Sequence, residues 1–367
     1  MSQQKTVFSA IINDIATDYR VQKTCDFLVQ QDFFVEVYCR EIPNSFTINK
    51  QYKIKKTKHW INNNFLFYAE YNIRLFLYLL FKKYDYIIAN DLDTLPACFF
   101  ASKLKKCELV YDSHELFSEG PELQGRSFVQ GFWRKLEDFF LPKIKNAYTV
   151  SSSIVDFYND KYQNQMGLIR NMPFLNRDIQ EKEVSFPTKN KVVLYQGVLN
   201  PGRGIKPMIK ALHFLNDVDL VIIGYGKVEQ ELKDFMFEQK MEDRVHFMGR
   251  VPNNVLPNYT KIADVGMVLE EPLGKSFEFS LPNKLFDYIH AELPIVSGNL
   301  IEINSIVNTY KVGLAIGNYE PKNIAKAVND LLTNQELRQE IINNQKEAKK
   351  VLCWEREQEK LHQYFSN

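Results

Sequence analysis

Cysteine is scarce in this 367-residue chain, and the five that occur (Cys25, Cys39, Cys98, Cys107 and Cys353) form no C-x-x-C pair. That spacing argues against a zinc site or a disulfide framework and fits a reducing compartment. Neither sign of charge dominates. Lys and Arg number 46 against 45 Asp and Glu, so the electrostatic footprint of a dedicated nucleic-acid binder is missing. Long apolar runs are missing as well: Leu75–Phe81 is the longest aliphatic-aromatic run, far below the ~20 residues that cross a bilayer as a helix. The opening MSQQKTVFSAIIN shows neither a basic leader nor a small-residue cleavage site. A cytoplasmic protein, at most peripheral to the inner face of a membrane, is expected. Glycine is sparse too, at 15 residues, and no P-loop or complete G-x-G-x-x-G occurs, which weighs against a nicotinamide dehydrogenase.

What is present is a chain that is 45% hydrophobic and 25% charged, long enough for two domains. Strand-length apolar runs alternate with helical-period segments almost throughout, the pattern of parallel sheets covered by helices. The first series has strands at 7–12, 33–39, 52–56, 86–89, 108–111, 147–150 and 167–169. Alternation weakens at 171–190, where two prolines and a charged stretch mark an interdomain linker. A second series follows, with strands at 192–195, 220–223, 245–248, 265–269, 295–297 and 314–316 and helices at 205–215, 228–239, 283–290 and 321–332. The expected fold is α/β: two Rossmann-like doubly wound domains, 1–171 and 172–352, facing across a cleft, with a last helix at about 353–367 packing back on the first domain.

Several strand-to-helix junctions carry chemistry. In YQGVLNPGRGIKPMIKAL, Gly197, Gly202 and Gly204 permit close backbone approach and Arg203 supplies a fixed cation, which together suit a diphosphate; the plain alternative is a tight turn with a solvated arginine. Gly224 opens a second such junction, and Arg250 and Val251 follow a third strand, where they either offer a guanidinium face and backbone groups to a base or form a plain loop before a helix starting near Pro252. In FSLPNKLFDYIHAELPIVSG a helix opens at 282–284. There Lys284 reaches an anion, and Asp287, one turn beyond Asn283, can accept from a ribose diol; alternatively Lys284 and Asp287 form a surface pair of little consequence.

The order of segments DYRVQK, NDLDTLPA, YDSHELFSE, YQGVLNPGRG, IIGYG, FMGRVP and SLPNKLFDYIHAELPIV resembles the retaining GT-B glycosyltransferases of family 4, also known as glycosyl transferases group 1. The resemblance covers nearly the whole chain. It implies transfer of a sugar from a nucleoside diphosphate sugar to a hydroxyl, in polysaccharide or glycolipid assembly, with no cofactor beyond the donor and no essential metal. It makes Arg203 the residue that neutralises the donor diphosphate, Lys284 a second cation, and Asp287 the second acid of the family's E-x7-E element. Two departures stand out. The first acid is absent, Phe279 occupying its place, which leaves Glu270, Glu271 and Glu278 as candidates with Leu281 alongside; and Val198 stands where an arginine often follows the first glycine.

The resemblance also makes His114 the catalytic histidine that meets the transferred sugar or leaving phosphate; its alternative is a histidine satisfying loop backbone. The other histidines have no partner pattern. Asp91 and Asp93 either cap the helix at 94–104 or touch the acceptor, and Asn13, Asp18 and Arg20 are further acceptor-side candidates. A basic-aromatic stretch from Lys50 to Lys83 either lies against an anionic membrane carrying a lipid-linked saccharide acceptor or is a strand followed by a helix whose Ile73, Phe76, Leu77 and Leu80 face the core. Two rival functions share the architecture: a non-hydrolysing nucleotide-sugar epimerase, which needs no acceptor, and a catalytically silent nucleotide-sugar-binding protein.

Overall fold

The structure is a computed structural model and describes residues 4–43, 45, 47–61, 64–120, 123–177 and 179–366; Asp178 of the linker and the terminal Asn367 lie outside them. The chain divides into two units, residues 1–171 with 357–367, and residues 172–356. The returning segment begins at Glu357, whose carboxylate accepts from the Arg170 amide at 2.8 Å. Cys353 and Trp354 belong instead to the second unit, where the Trp354 amide donates to the Pro173 carbonyl at 2.7 Å.

The first unit runs β1 (Thr6–Ala10), α1 (Tyr19–Gln30), β2 (Phe34–Arg40), β3 (Lys53–Thr57), α2 (Asn64–Leu80), β4 (Tyr86–Asn90), α3 (Leu95–Lys105), β5 (Glu108–Ser113), α4 (Ser127–Phe140), β6 (Asn146–Thr149), α5 (Ser152–Tyr162) and β7 (Gly167–Leu168). Its seven-stranded sheet has the order β3-β2-β1-β4-β5-β6-β7, every neighbouring pair parallel. Because the order reverses between β1 and β4, the loops after these two strands diverge and leave room at the carboxyl edge. The central strand β4 is buried throughout, as a strand covered on both faces must be.

Helix α2 corrects one expectation. Its core face is Tyr71, Leu75 and Leu79, each at most 1% exposed, whereas Ile73 and Leu77 are 61% and 49% exposed. Almost every position of α2 is apolar, so helical spacing alone admits more than one core face. Packing against α3 and the sheet selects the tyrosine face, where the Tyr71 hydroxyl donates to the Ile11 carbonyl at 2.7 Å.

The second unit runs β8 (Lys191–Gln196), α6 (Ile205–Ala211), β9 (Val218–Ile223), α7 (Glu229–Glu238), β10 (Val245–Gly249), α8 (Leu256–Ile262), β11 (Val265–Val268), α9 (Lys275–Glu278), α10 (Asn283–His290), β12 (Ile295–Ser297), α11 (Ile301–Tyr310), β13 (Gly313–Ala315), α12 (Pro321–Thr333), α13 (Gln335–Val351) and α14 (Trp354–Gln358), the last of which crosses into the returning segment that ends with α15 (His362–Phe365). Its parallel sheet has the order β10-β9-β8-β11-β12-β13. The helix α11 was not anticipated from the sequence, and the helix expected at 205–215 ends early, its last turn tightening to 3-10 geometry at Leu212–Phe214. At the switch point β8 and β11 lie side by side, and their carboxyl ends carry Gln196 and Glu270.

Candidate active site

In the second unit the glycine turn after β8 is closed by backbone packing. A Cβ on Gly224 would lie 1.8 Å from the Gly197 carbonyl oxygen, so the two junction turns touch through bare backbone. Gly204 caps α6 with a left-handed backbone (φ 66°), and a Cβ there would lie 2.1 Å from the Leu269 carbonyl oxygen. A Cβ on Gly202 would meet Leu273 and Phe277. The glycines thus let α6 and its turn lie directly against the end of β11, which brings Arg203 to Glu270.

Glu270 is fully buried. One carboxylate oxygen accepts from the Lys284 ammonium at 2.8 Å and from the Arg203 guanidinium at 3.4 Å; the other has no hydrogen-bond partner. Lys284 is 7% exposed and Arg203 27%. The ammonium lies 4.0 Å from the centre of the Tyr195 ring and the guanidinium 5.4 Å from that of Phe277. Lys284 is therefore no partner in a surface pair: it points inward, its tip against Gly197, beside Val198 where the family's usual arginine is absent. Two cations on one buried carboxylate, with one oxygen of that carboxylate and the Arg203 Nε unpartnered, form a site of net positive charge built before any ligand arrives.

Asp287 is engaged by Arg177, a residue the sequence does not single out, and accepts from the Gln196 side-chain amide at 3.2 Å. Gln196 is fixed in turn by the Thr260 hydroxyl, which donates to its side-chain oxygen at 2.8 Å. Of the three acids proposed for the missing first position, Glu270 is the one placed on the cations; Glu271 is partly exposed, its amide bonded to the Gly202 carbonyl, and Glu278 is exposed on the short α9. Asn283 starts α10 and Leu281 packs partly buried beneath it. Arg250 is exposed with its guanidinium 5.2 Å from the Tyr225 ring centre, and Val251 is half-buried.

In the first unit the carboxyl ends of β4 and β5 carry a second charged cluster. The Asp91 backbone is left-handed (φ 60°), a strained state for a non-glycine residue, and its carboxylate accepts from the His114 amide at 2.7 Å. The His114 ring stands between two acids, Nδ1 3.6 Å from Asp91 and Nε2 3.5 Å from Asp112, and is 20% exposed. Burial pushes its pKa down, but the flanking Asp91 and Asp112 carboxylates outweigh burial and carry it up to about 10, so the ring is an imidazolium at neutral pH. Asp93 is buried with one oxygen unpartnered; burial, then the Asp91 charge, raise its pKa well above the carboxylate range.

Neither Asp91 nor Asp93 caps α3, whose N-cap is Thr94 without a side-chain bond. Asp18 instead caps α1, accepting from the Val21 amide at 3.1 Å, and Asn13 is exposed at the end of β1. Arg20 does not face an acceptor: it is 4% exposed and bonded to Asp112. Four of the remaining histidines have structural partners: His246 meets Asp219 at 3.0 Å, His290 the Leu352 carbonyl at 2.8 Å, His59 the Thr57 hydroxyl at 3.1 Å, and His362 packs edge-on against Phe27.

Residues 176–348 match the family described as Glycosyl transferases group 1 and residues 19–171 match Glycosyltransferase Family 4. An uncharacterised glycosyltransferase of Methanocaldococcus jannaschii is 25% identical over 170 residues, 45% of this chain but 42% of that relative, so the match spans less than half of its length. The Campylobacter jejuni α-1,4-N-acetyl-D-galactosaminyltransferase, named for an acceptor linked to undecaprenol through PP, is 26% identical over 274 residues, 71% of this chain and 69% of that one. Sucrose-phosphate synthase from Thermosynechococcus elongatus superposes with a TM-score of 0.83 at 15% identity, covering 99% of this chain and 98% of that one. Anabaena HepE, solved in complex with UDP, superposes with a TM-score of 0.75 at 16% identity over 99% and 100% of the two chains. At these identities the two solved structures are alike in fold.

Proposed function

This chain belongs to the family 4 type of GT-B glycosyltransferases, and from that premise we propose that it moves a sugar from a nucleoside diphosphate donor to a hydroxyl acceptor with retention of the anomeric configuration. The observation that carries the reading is the buried Arg203–Glu270–Lys284 cluster. As the bond between the anomeric carbon and the diphosphate breaks, negative charge grows on the leaving oxygens. Two cations already fixed there favour that state over the ground state without reorganising. The acceptor oxygen attacks the anomeric carbon from the face the diphosphate leaves, and the departing phosphate oxygen takes the acceptor proton, so no protein nucleophile is needed. Asp287, with Gln196, supports the ribose; the UDP bound by the HepE structure supports a nucleoside diphosphate as the donor class. Glu270 stands in for the absent first acid and keeps the cations apart from bulk anions until the donor enters. The cations do the work a metal does elsewhere, and turnover should persist in EDTA.

The acceptor side is read on the first unit, with His114 as a charged hydrogen-bond donor to the sugar. The exposed face of α2 favours a lipid-linked acceptor met at an anionic surface. Ile73, Leu77 and Phe81, one turn apart, are exposed together with Trp60 and Leu66, and Lys53, Lys55, Lys58, Lys82 and Lys83 are exposed around them. The acceptor in the name of the Campylobacter relative is of that kind. No helix among the described residues is long and apolar enough to cross a membrane.

The test is incubation with uridine, guanosine and adenosine diphosphate sugars, with and without hydroxyl acceptors. Acceptor-dependent release of nucleoside diphosphate with an α-linked product from an α-donor supports the reading. Epimerised donor without acceptor, or binding without release, identifies one of the rivals instead.

A further inference from the structure

Beneath His114 lies a buried pair of charges that the reading above does not use. Arg20, on the first turn of α1, donates to Asp112 from Nε at 2.9 Å and from Nη2 at 2.7 Å, and its Nη1 donates to the Ile169 carbonyl at 2.9 Å. Its guanidinium carbon is 5.6 Å from the centre of the Tyr148 ring on β6. Arg20 and Asp112 are 4% and 0% exposed. Every edge of the guanidinium faces the unit's own atoms, so Arg20 has no free edge for a ligand. The Asp112 oxygen it grips less closely, Oδ2, is the one that faces His114 Nε2 at 3.5 Å, and that nitrogen is buried with no other partner.

An Arg–Asp pair taken out of water gives little net stability, because desolvation consumes most of the Coulomb gain. Its geometry does something else. The two-pronged guanidinium grip fixes the plane of the carboxylate as a lysine could not, and the fixed carboxylate then aims at one ring nitrogen of His114. On the opposite flank Asp91, with its left-handed backbone, holds the His114 amide and faces Nδ1. The ring is thereby held from both sides.

We propose that Arg20 and Asp112 are positioning residues that fix the ring plane and the charge of His114, a deepening that rests on His114 meeting the substrate. Burial disfavours the Asp112 anion, yet the Arg20 charge and its hydrogen bonds, together with His114, hold its pKa below the usual carboxylate value. Of the other acids around the ring, Asp91 from the turn after β4 and Asp18 at the start of α1 add negative charge, whereas burial and the Asp91 charge hold Asp93 towards its neutral form. Removing the Asp112 charge while keeping its shape therefore subtracts one of the two carboxylates that keep the imidazole protonated.

The experiment is a histidine-ring NMR titration of the full-length chain, His114 being assigned with His114→Ala, for wild type, Asp112→Asn and Arg20→Lys, alongside steady-state kinetics and calorimetric binding of the nucleoside diphosphate. In Asp112→Asn the His114 midpoint should fall by at least about one pH unit, and the alkaline limb of the kcat profile should move with it. kcat should fall about tenfold or more, with nucleotide affinity unchanged. Arg20→Lys, which keeps the charge and loses the fork, should give a smaller change in the same direction and serves if Asp112→Asn does not fold. A folded Asp112→Asn whose His114 midpoint or kcat matches wild type overturns the proposal. A midpoint that moves as expected in a protein that transfers no sugar retires the functional reading instead, because the titration needs no substrate.

Discussion

At the residue scale the proposed chemistry rests on a few side chains whose environments differ from their sequence neighbourhoods. Arg203→Ala or Lys284→Ala should lower kcat by roughly 10²–10³-fold, the usual loss for one preorganised group at a developing charge, with the melting temperature little changed for Arg203. Steady-state assays and thermal melts on the same samples check both. Asp287→Ala should weaken nucleotide binding by calorimetry, and unchanged affinity would remove it from the ribose site. His114 sets a pH dependence whose sign follows from its raised pKa. Folding favours the protonated ring, so its contribution to stability is complete below the ordinary histidine value and drains away as pH rises towards about 10. Chemical unfolding across that window should show stability falling with pH in wild type and a flatter profile in His114→Gln. The placement of Arg203, Lys284, Asp287 and His114 at strand-to-helix junctions was legible because they stand at fixed places in ordered motifs. Asp112 sits two residues before His114 in YDSHE and could have been singled out by the period-2 rule, which puts both side chains on one side of a strand end. Arg177 gave no signal at all, since its pairing with Asp287 joins a linker residue to a helix 110 positions away.

At the element scale the strands were the clearest, because buried parallel strands read as short apolar runs, and their observed limits differ from the expected ones by only a few residues. Helix α2 was misread for the converse reason: where nearly every position is apolar, periodicity does not choose a face, and the sheet and α3 decide. The two faces now make separate predictions. Leu75→Ala, in the core, should cost about 2–5 kcal/mol in denaturant unfolding. Ile73→Glu with Leu77→Glu should leave stability nearly intact and lower cosedimentation with vesicles containing acidic lipid; equal cosedimentation would dissociate α2 from any membrane role. The glycine turn makes a third. At Gly204 the left-handed backbone and the Leu269 carbonyl oppose any side chain, so Gly204→Ala should lower both melting temperature and kcat by moving Arg203 away from Glu270.

At the scale of the whole molecule, two parallel-sheet units each place a charged cluster at the carboxyl ends of central strands, on β4 and β5 beside the switch point in the first and on β8 and β11 flanking it in the second. The first cluster is built around an imidazolium held by acids. The second is built around a buried acid that holds two cations. The identity of the donor sugar and acceptor depends on contacts that no motif encodes, whereas the diphosphate requirement we propose is argued from the charge of the Arg203–Glu270–Lys284 cluster. That requirement is tested by isothermal titration of uridine, guanosine and adenosine diphosphate sugars into wild-type protein and Arg203→Ala/Lys284→Ala. Saturable binding of one donor class to wild type, lost in the folded double variant, is the predicted result; no binding of any of them, or equal binding by both proteins, would contradict it.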